Sequence, residues 1–484
     1  MSRTVIVGRK TECNELEERL EQSEAQLIVV YGRRRVGKTF LINEFFDHQF
    51  SFKVTGAYGE KEQFQLDSFV GELNRLTDGQ YDAQSGWRSA FLWLREYLEQ
   101  LPEDQKRVVF FDEMPWLDSP GSDFLSVFEW FWNDWASTQK NLVFIVCGSA
   151  TNWMVEHFTK NKGGLFNRQT CRLYLKPFTL QETELFLKAK KIIWSRYQIA
   201  ECYMIMGGIP YYLNLLSNRL SLSQNIDRMF FQERGLLWDE FENLYRTLFS
   251  NSGSYIKVVE ALAEKAGGLT RNEIAAQTGF SANGNLTKIL NNLIYSGFVR
   301  ASLFYGNKKK DMLYQLADYY SAFYFRFIRE KYGKDTQYWS HASDHPTRRA
   351  WAGLTFEQLC KDHIAQIKQA FGISGILTEE SIWFTRGDKE LNIPGAQIDL
   401  IIERRDQVIH LCEMKFPVNE YIIDKKYDMV LRNKMEAFRQ MTGTRKTLLV
   451  SMITTYGVKK NMYSDIVRSQ VTLEDLFEPV KHGS

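Results

Sequence analysis

One uninterrupted stretch, Leu27 to Phe46, constrains this chain more than any other. It opens with the apolar run Leu27-Ile28-Val29-Val30-Tyr31 and passes through Gly32-Arg33-Arg34-Arg35-Val36-Gly37-Lys38-Thr39. It then continues as Phe40-Leu41-Ile42-Asn43-Glu44-Phe45-Phe46. The first run has the length and composition of a buried strand, and the last has the apolar spacing of a helix. Between them every fixed position of G-x-x-x-x-G-K-[ST] is filled. The glycines let backbone N–H groups curl around a phosphate, and the helix N-terminus adds positive field. The pattern predicts a nucleoside-triphosphate site, with Lys38 on the β- and γ-phosphates and the Thr39 hydroxyl on Mg²⁺. Gly32, Arg33, Arg34, Arg35, Val36, Gly37 and Phe40 complete the expected nucleotide contacts of this loop.

Apolar runs at 27–31, 52–57, 108–112, 142–148 and 171–175 alternate with helical stretches. That alternation predicts an α/β fold built on a parallel sheet. The run Val108-Val109-Phe110-Phe111 ends in Asp112-Glu113. A carboxylate at the end of a strand beside the phosphate loop can hold Mg²⁺ through water, which is the role expected of Asp112. Glu113, directly after it, can orient and deprotonate an attacking water. The next strand ends in Cys147-Gly148-Ser149-Ala150. Ser149 is the polar residue expected between the carboxylates and the γ-phosphate, although ending the strand is an alternative role for it.

The opening Val7-Gly8-Arg9-Lys10-Thr11-Glu12, the loop Tyr31 to Thr39, and Gly207-Gly208-Ile209-Pro210 resemble the archaeal and bacterial ATPases related to the AAA+ and STAND groups. The resemblance implies ATP as the nucleotide and places Gly8 and Arg9 near the adenine. It assigns Pro210 to a helical lid over the nucleotide, with the ATPase core over 1–176 and the lid over 177–250. It also implies that Arg168, ahead of the fifth strand, senses the γ-phosphate, with Arg172 as its close competitor.

Residues 251–318 read as a small helical unit closed by a hairpin. Thr270 and Glu273 form a capping box for a short helix ending at Gly279. Ser281 starts a second helix, with Leu286, Ile289, Leu290, Leu293 and Ile294 on its buried stripe. Strands Phe298–Leu303 and Met312–Leu316 flank a lysine-bearing turn, Tyr305 to Lys310. This resembles a winged helix-turn-helix domain, which implies a DNA partner contacted by Asn283, Asn285, Thr287, Lys288 and Asn291 and by the basic wing. The same unit also serves as a packing module in multidomain ATPases. The aromatic run Tyr319 to Phe327 has helical spacing and reads as an interdomain junction.

Farther on, the apolar strand Gln397 to Ile402 carries Asp399, and the strand Val408 to Lys415 carries Glu413 and Lys415. A hairpin of these strands can bring Asp399 close to Glu413, and the period of two puts Glu413 and Lys415 on one face. Two carboxylates beside a lysine can hold Mg²⁺ and position a water against a phosphodiester. Glu357, on an amphipathic helix upstream, is a third candidate ligand. With the basic helix 424–441 and the strand 447–453, this set resembles the PD-(D/E)xK nuclease-like (restriction-endonuclease-like) fold over 319–484, in the DUF234-type version fused behind these ATPases. The motif's proline is not adjacent to Asp399; Pro394 lies five residues earlier. The alternative is a surviving fold that does not cut, with Asp399, Glu413 and Lys415 forming an ion pair.

Composition narrows the setting. Residues 1–250 carry 29 Lys+Arg against 33 Asp+Glu, a net of −4, leaving 32 against 26 and a net of +6 for residues 251–484. The basic half is the one that would meet a polyanion. Apolar runs such as Leu142 to Cys147 are far too short to span a bilayer, so no membrane partner is expected. Six cysteines without C-x-x-C spacing, several inside apolar runs, read as reduced core residues of a cytoplasmic protein. A homo-oligomer is compatible with the sequence. Two outcomes follow: an ATPase coupled to a metal-dependent DNA nuclease, or an ATP-dependent switch or DNA-binding regulator whose C-terminal domain does not cut.

Overall fold

The computed structural model describes residues 6–160, 164–165, 167–249, 251–306, 312–329, 334–388 and 393–481. They divide into two compact units. The first comprises residues up to Pro177 with the segments Ile209–Tyr211 and Leu244–Ser252. The second comprises Phe178–Gly208, Tyr212–Asn243 and the chain from Gly253 onward.

The first unit is built on five parallel strands: β1 (Gln26–Tyr31), β2 (Phe52–Thr55), β3 (Arg107–Asp112), β4 (Leu142–Gly148) and β5 (Cys171–Tyr174). Their spatial order is β2-β3-β4-β1-β5, so β1 lies between β4 and β5 and carries its loop in the interior of the sheet. All residues of β3 and β4 are buried, as a strand covered on both faces requires. One face is filled by aromatic side chains, with Phe111 ringed by Phe52, Phe69, Phe91, Phe124, Phe128 and Phe144 at centroid distances of 4.8–6.4 Å. The strand positions expected from the apolar runs all carry strands.

In the second unit, helices Leu180–Ala189 and Arg196–Met206 each begin in a capping box, Thr179 with Glu182 and Ser195 with Gln198. Farther on, helix Ser252–Glu264 is followed by β6 (Leu269–Thr270), helix Arg271–Thr278, helix Gly284–Tyr295, β7 (Val299–Leu303) and β8 (Met312–Leu316). The box of Thr270 and Glu273 forms, and Gly279 ends the helix in the left-handed region. The next helix starts at Gly284, three residues later than Ser281, because Asn283 caps it by accepting from the Asn285 and Leu286 N–H groups. Its buried stripe is Leu286, Ile289, Leu290 and Leu293; Ile294 is half-buried and Asn292 is buried instead, donating to the Tyr255 hydroxyl at 2.8 Å. The three strands pair antiparallel in the order β6-β8-β7. The lysines of the expected wing, 308–310, lie outside the described residues.

The C-terminal part of this unit holds a mixed sheet, β13-β12-β11-β10-β9, made of β9 (Thr378–Asp388), β10 (Ile393–Arg404), β11 (Val408–Lys415), β12 (Thr447–Thr454) and β13 (Val467–Thr472). The β9-β10-β11 part is antiparallel, and β12 joins β11 in parallel after helix Lys425–Thr442. Helix Lys425–Thr442 covers one face through Ala437 and Phe438, packed with Ile398, Ile401, Ile409 and Leu411. Rings of the preceding helical region meet the other face, where Phe371 stacks on His410 at 4.8 Å. Among the described residues, no helix is long and apolar enough to cross a membrane.

Candidate functional site

The loop between β1 and helix Lys38–Phe45 is held by its own backbone. Gly32 has φ of 146° and lies so close to the neighbouring chain that a β-carbon there would stand 2.3 Å from the Leu175 carbonyl oxygen. Gly37 caps the helix in the left-handed conformation with open space where a side chain would project. The Lys38 ammonium is buried and donates to the Gly32 and Arg33 carbonyls, both at 3.1 Å. It therefore lies folded across the loop that its sequence predicts it to serve. Gly32, Arg33 and Val36 are buried, Arg34 and Arg35 half-buried, and Phe40 is exposed.

Behind the loop, the Thr39 hydroxyl donates to Asp112 Oδ1 at 2.9 Å. Asp112 ends β3, and burial together with the charge of Glu113 pushes its carboxyl above the usual range. Glu113 takes up the left-handed conformation at φ 46°. Its Oε2 accepts from the Ser149 backbone N–H at 2.9 Å and from the Ser149 hydroxyl at 2.8 Å. Ser149 follows β4, the strand that pairs with both β1 and β3, so three adjacent strand ends deliver Thr39, Asp112, Glu113 and Ser149 to one place.

The opening box reaches the same loop. Arg9 is buried in the left-handed region, and its guanidinium donates to the Val36 carbonyl at 2.9 Å; Gly8, just before it, also has positive φ. On another side, the Arg35 guanidinium lies 4.2 Å from the centre of the Tyr211 ring, and the Tyr211 N–H reaches the Arg35 carbonyl at 3.4 Å. Sequence reasoning singled out Pro210, yet the loop contact is made by its neighbour Tyr211.

Arg168 is not brought to the loop. It is exposed and precedes Cys171, which pairs with Ile28; strand rise puts that level about 13 Å from Gly32. Arg172, its competitor, is exposed one residue into the same edge strand.

In the second unit, Leu400 pairs with Cys412, which sets Asp399 level with Glu413. The structure nevertheless does not gather Glu357, Asp399 and Glu413 as a ligand set. Among the described residues, no group of three His, Cys, Asp or Glu side chains is placed to hold a metal ion. The reason is local. The β9–β10 register shifts between Ile398 and Ile401, and both of those residues pack with Phe438. The intervening Asp399 accepts from the Gln397 side-chain amide at 2.5 Å, and its charge is felt by Glu357 and Lys361 on helix Pro346–Asp362. Glu413 alternates onto the same side of β11 as Ile409 and Leu411. It accepts from the Tyr427 hydroxyl at 3.0 Å, pairs with Lys434, and lies 3.8 Å from Lys415. The acids still feel one another at the sheet end. Burial, then Asp399 and more weakly Glu413, pushes Glu357 up to about 7. Lys434, which sequence reasoning missed, is visible only as one lysine of a basic helix until the fold places it.

The strand order, the loop and the carboxylates after β3 define a P-loop ATPase fold in the first unit. Residues 6–216 match the family described as an ATPase domain predominantly from Archaea. Over 388 residues the chain is 25% identical to an uncharacterized protein of Methanocaldococcus jannaschii, covering 80% of this chain and 83% of that one. It is 47% identical over 45 residues to an uncharacterized ATP-binding protein of the same organism, 9% of this chain and 76% of the relative. Among solved structures, a Walker-type ATPase of Pyrococcus abyssi aligns with a TM-score of 0.48 and 20% identity, covering 66% of this chain and 96% of that one.

Proposed function

We propose that the chain is a Mg²⁺-dependent ATPase whose nucleotide cycle controls a DNA-binding C-terminal half. The observation that carries this reading is the joint placement of Thr39 against Asp112 and of Glu113 against Ser149, beside the loop that Lys38 spans. A hydroxyl and a carboxylate 2.9 Å apart suit a hard cation, so Thr39 and Asp112 are the residues that would hold Mg²⁺. The ion, when bound, supplies charge neutralisation for the phosphates. Lys38 exchanges its two carbonyl partners for phosphate oxygens, and Glu113, oriented by Ser149, takes a proton from the attacking water. Arg9 and the 209–211 segment brace the loop.

The DNA-binding part rests on the helix–helix–hairpin of residues 252–316, whose exposed Asn283, Asn285, Thr287, Lys288 and Asn291 occupy the second helix and its cap. The net charge of +6 over residues 251–484 supports the same partner. The test is Lys38→Ala, which removes a charge-assisted phosphate contact. ATP affinity should fall at least tenfold, since such bonds contribute roughly 1.5–3 kcal/mol. Unchanged ATP affinity and turnover would overturn the assignment.

A second reading, a metal-dependent nuclease, is favoured by the crowding that raises Glu357. It requires Glu413 to leave Lys434 and Tyr427 and turn toward Asp399 and Glu357. Incubation of wild type and Lys415→Ala with single- and double-stranded DNA in Mg²⁺ or Mn²⁺ separates the two. Cleavage that Lys415→Ala, Asp399→Ala and Glu413→Ala each abolish would establish the nuclease, and no cleavage by wild type leaves the switch.

A further inference from the structure

Beyond these sites, one surface of the second unit combines flat aromatic rings, an open cavity and basic side chains. Tyr197 lies nearly parallel to Phe416, with ring centres 4.6 Å apart and planes 17° apart. Its ring is also parallel to that of Tyr456, at 6.4 Å and 5°. Tyr456 is 48% exposed. It forms one wall of a cavity of about 510 Å³, together with Val418, Asn419, Glu420, Ile422 and Lys459. That volume falls within the roughly 300–1,000 Å³ of small-ligand sites.

The cavity is made by two segments, 416–424 and 456–461, tied by Tyr421 N–H to the Gly457 carbonyl and Lys459 N–H to the Tyr421 carbonyl, both at 2.9 Å. A third tie, from the Asn461 amide to the Ile423 carbonyl at 2.9 Å, fixes their far end. The platform is thus braced by backbone bonds. It directly follows Lys415 at the end of β11.

We infer that this surface is a stacking platform for the bases of a single-stranded nucleic acid. Every base has a flat π-face, and the exposed Tyr456 ring, already parallel to that of Tyr197, presents a preformed partner at little ordering cost. Asn419 supplies both a donor and an acceptor for a base edge. The exposed Lys459 and Lys460, with Lys415 and the exposed Lys425 and Lys426 at the head of the next helix, outnumber Glu420 and Asp424 and suit a phosphate backbone. An apolar polypeptide would gain from Val418 and Ile422, but it would bring no counter-charge to the exposed Lys459, Lys460, Lys425 and Lys426.

The inference rests on the nucleic-acid reading above, and the experiment keeps the two apart. Fluorescence anisotropy of the full chain is measured with a labelled thymidine 15-mer and, separately, with a labelled duplex. Tyr456→Ala should weaken the single strand roughly tenfold, the loss expected for one base–aromatic stack, and leave the duplex unchanged. Tyr456→Phe, which keeps the ring, should bind as wild type. Lys459→Ala should lower the slope of log K against log salt for the single strand by about 0.7. Equal single-strand affinity in wild type and Tyr456→Ala overturns the platform while leaving duplex binding intact. Equal losses for strand and duplex also overturn it, by showing a general defect. If wild type binds neither nucleic acid, the platform and the DNA reading fall together.

Discussion

Gly32→Ala tests whether the phosphate loop depends on close backbone packing. The added methyl would stand 2.3 Å from the Leu175 carbonyl oxygen and 3.2 Å from its carbon. These are backbone atoms, and they cannot rotate away as a side chain would. Leu175 N–H bonds the Tyr31 carbonyl at 2.8 Å, so relieving the clash means parting the chain after β5 from the end of β1. Overpacking of this kind costs about 1–3 kcal/mol, and the φ of 146° adds about 1 kcal/mol or more for a residue with a β-carbon. A total of roughly 2–4 kcal/mol corresponds to a fall of about 4–16 °C in the melting temperature of a domain this size. Scanning calorimetry with and without ATP reads both consequences, because a ligand that binds only the folded state raises the transition. The variant should melt earlier and lose most of the ATP-dependent rise. Gly37→Ala is the control: its methyl meets nothing within 4 Å, so it carries only conformational strain and should cost less. If Gly32→Ala melts within a degree of wild type and keeps the full ATP effect, the loop is not packed as argued.

Three further outcomes follow. Ser149→Ala removes the hydroxyl bond to Glu113 but keeps the backbone N–H, so steady-state ATP turnover should fall about tenfold with KM nearly unchanged. Burial and the nearby Arg404 lower His410 to about 4, well below its ordinary 6.5. The unfolded chain therefore takes up this proton first: the stabilisation is present above pH 6.5 and is lost as pH falls toward 4. Melts across that window should show a loss on the order of 2–3 kcal/mol that His410→Gln flattens, and buried His363 acts in the same direction. DNA affinity of the full chain should fall steeply with salt, because lysine–phosphate contacts release counterions; a salt-independent affinity would exclude that mode.

The ATPase half was legible because its information is local. A strand, a glycine loop and a helix follow one another within twenty residues, and the acids after Phe111 fall where the sheet requires them. The pairing of Ser149 with Glu113 was accessible to the same logic, since each ends a parallel strand. The second unit was legible as elements, down to the Thr270–Glu273 capping box. Its site geometry was not. A period-of-two argument assumes an unbroken ladder, and the β9–β10 ladder shifts register between Ile398 and Ile401, on either side of Asp399. Lys434 and Tyr427 come from a helix whose placement over β11 depends on long-range packing. Tyr211 escaped for a similar reason: its contact with Arg35 spans 176 positions of chain, beyond any local pattern.

In the proposed mechanism Glu113 is the group that takes the proton from water. Single-turnover ATP hydrolysis by Glu113→Gln, with nucleotide binding measured on the same preparation, tests it most directly. The amide keeps the size of the side chain and an oxygen acceptor for Ser149, but it cannot accept the proton. ATP should bind within a few-fold of wild type, and hydrolysis should slow by roughly a hundredfold or more. Hydrolysis at the wild-type rate would contradict the account and place the base elsewhere.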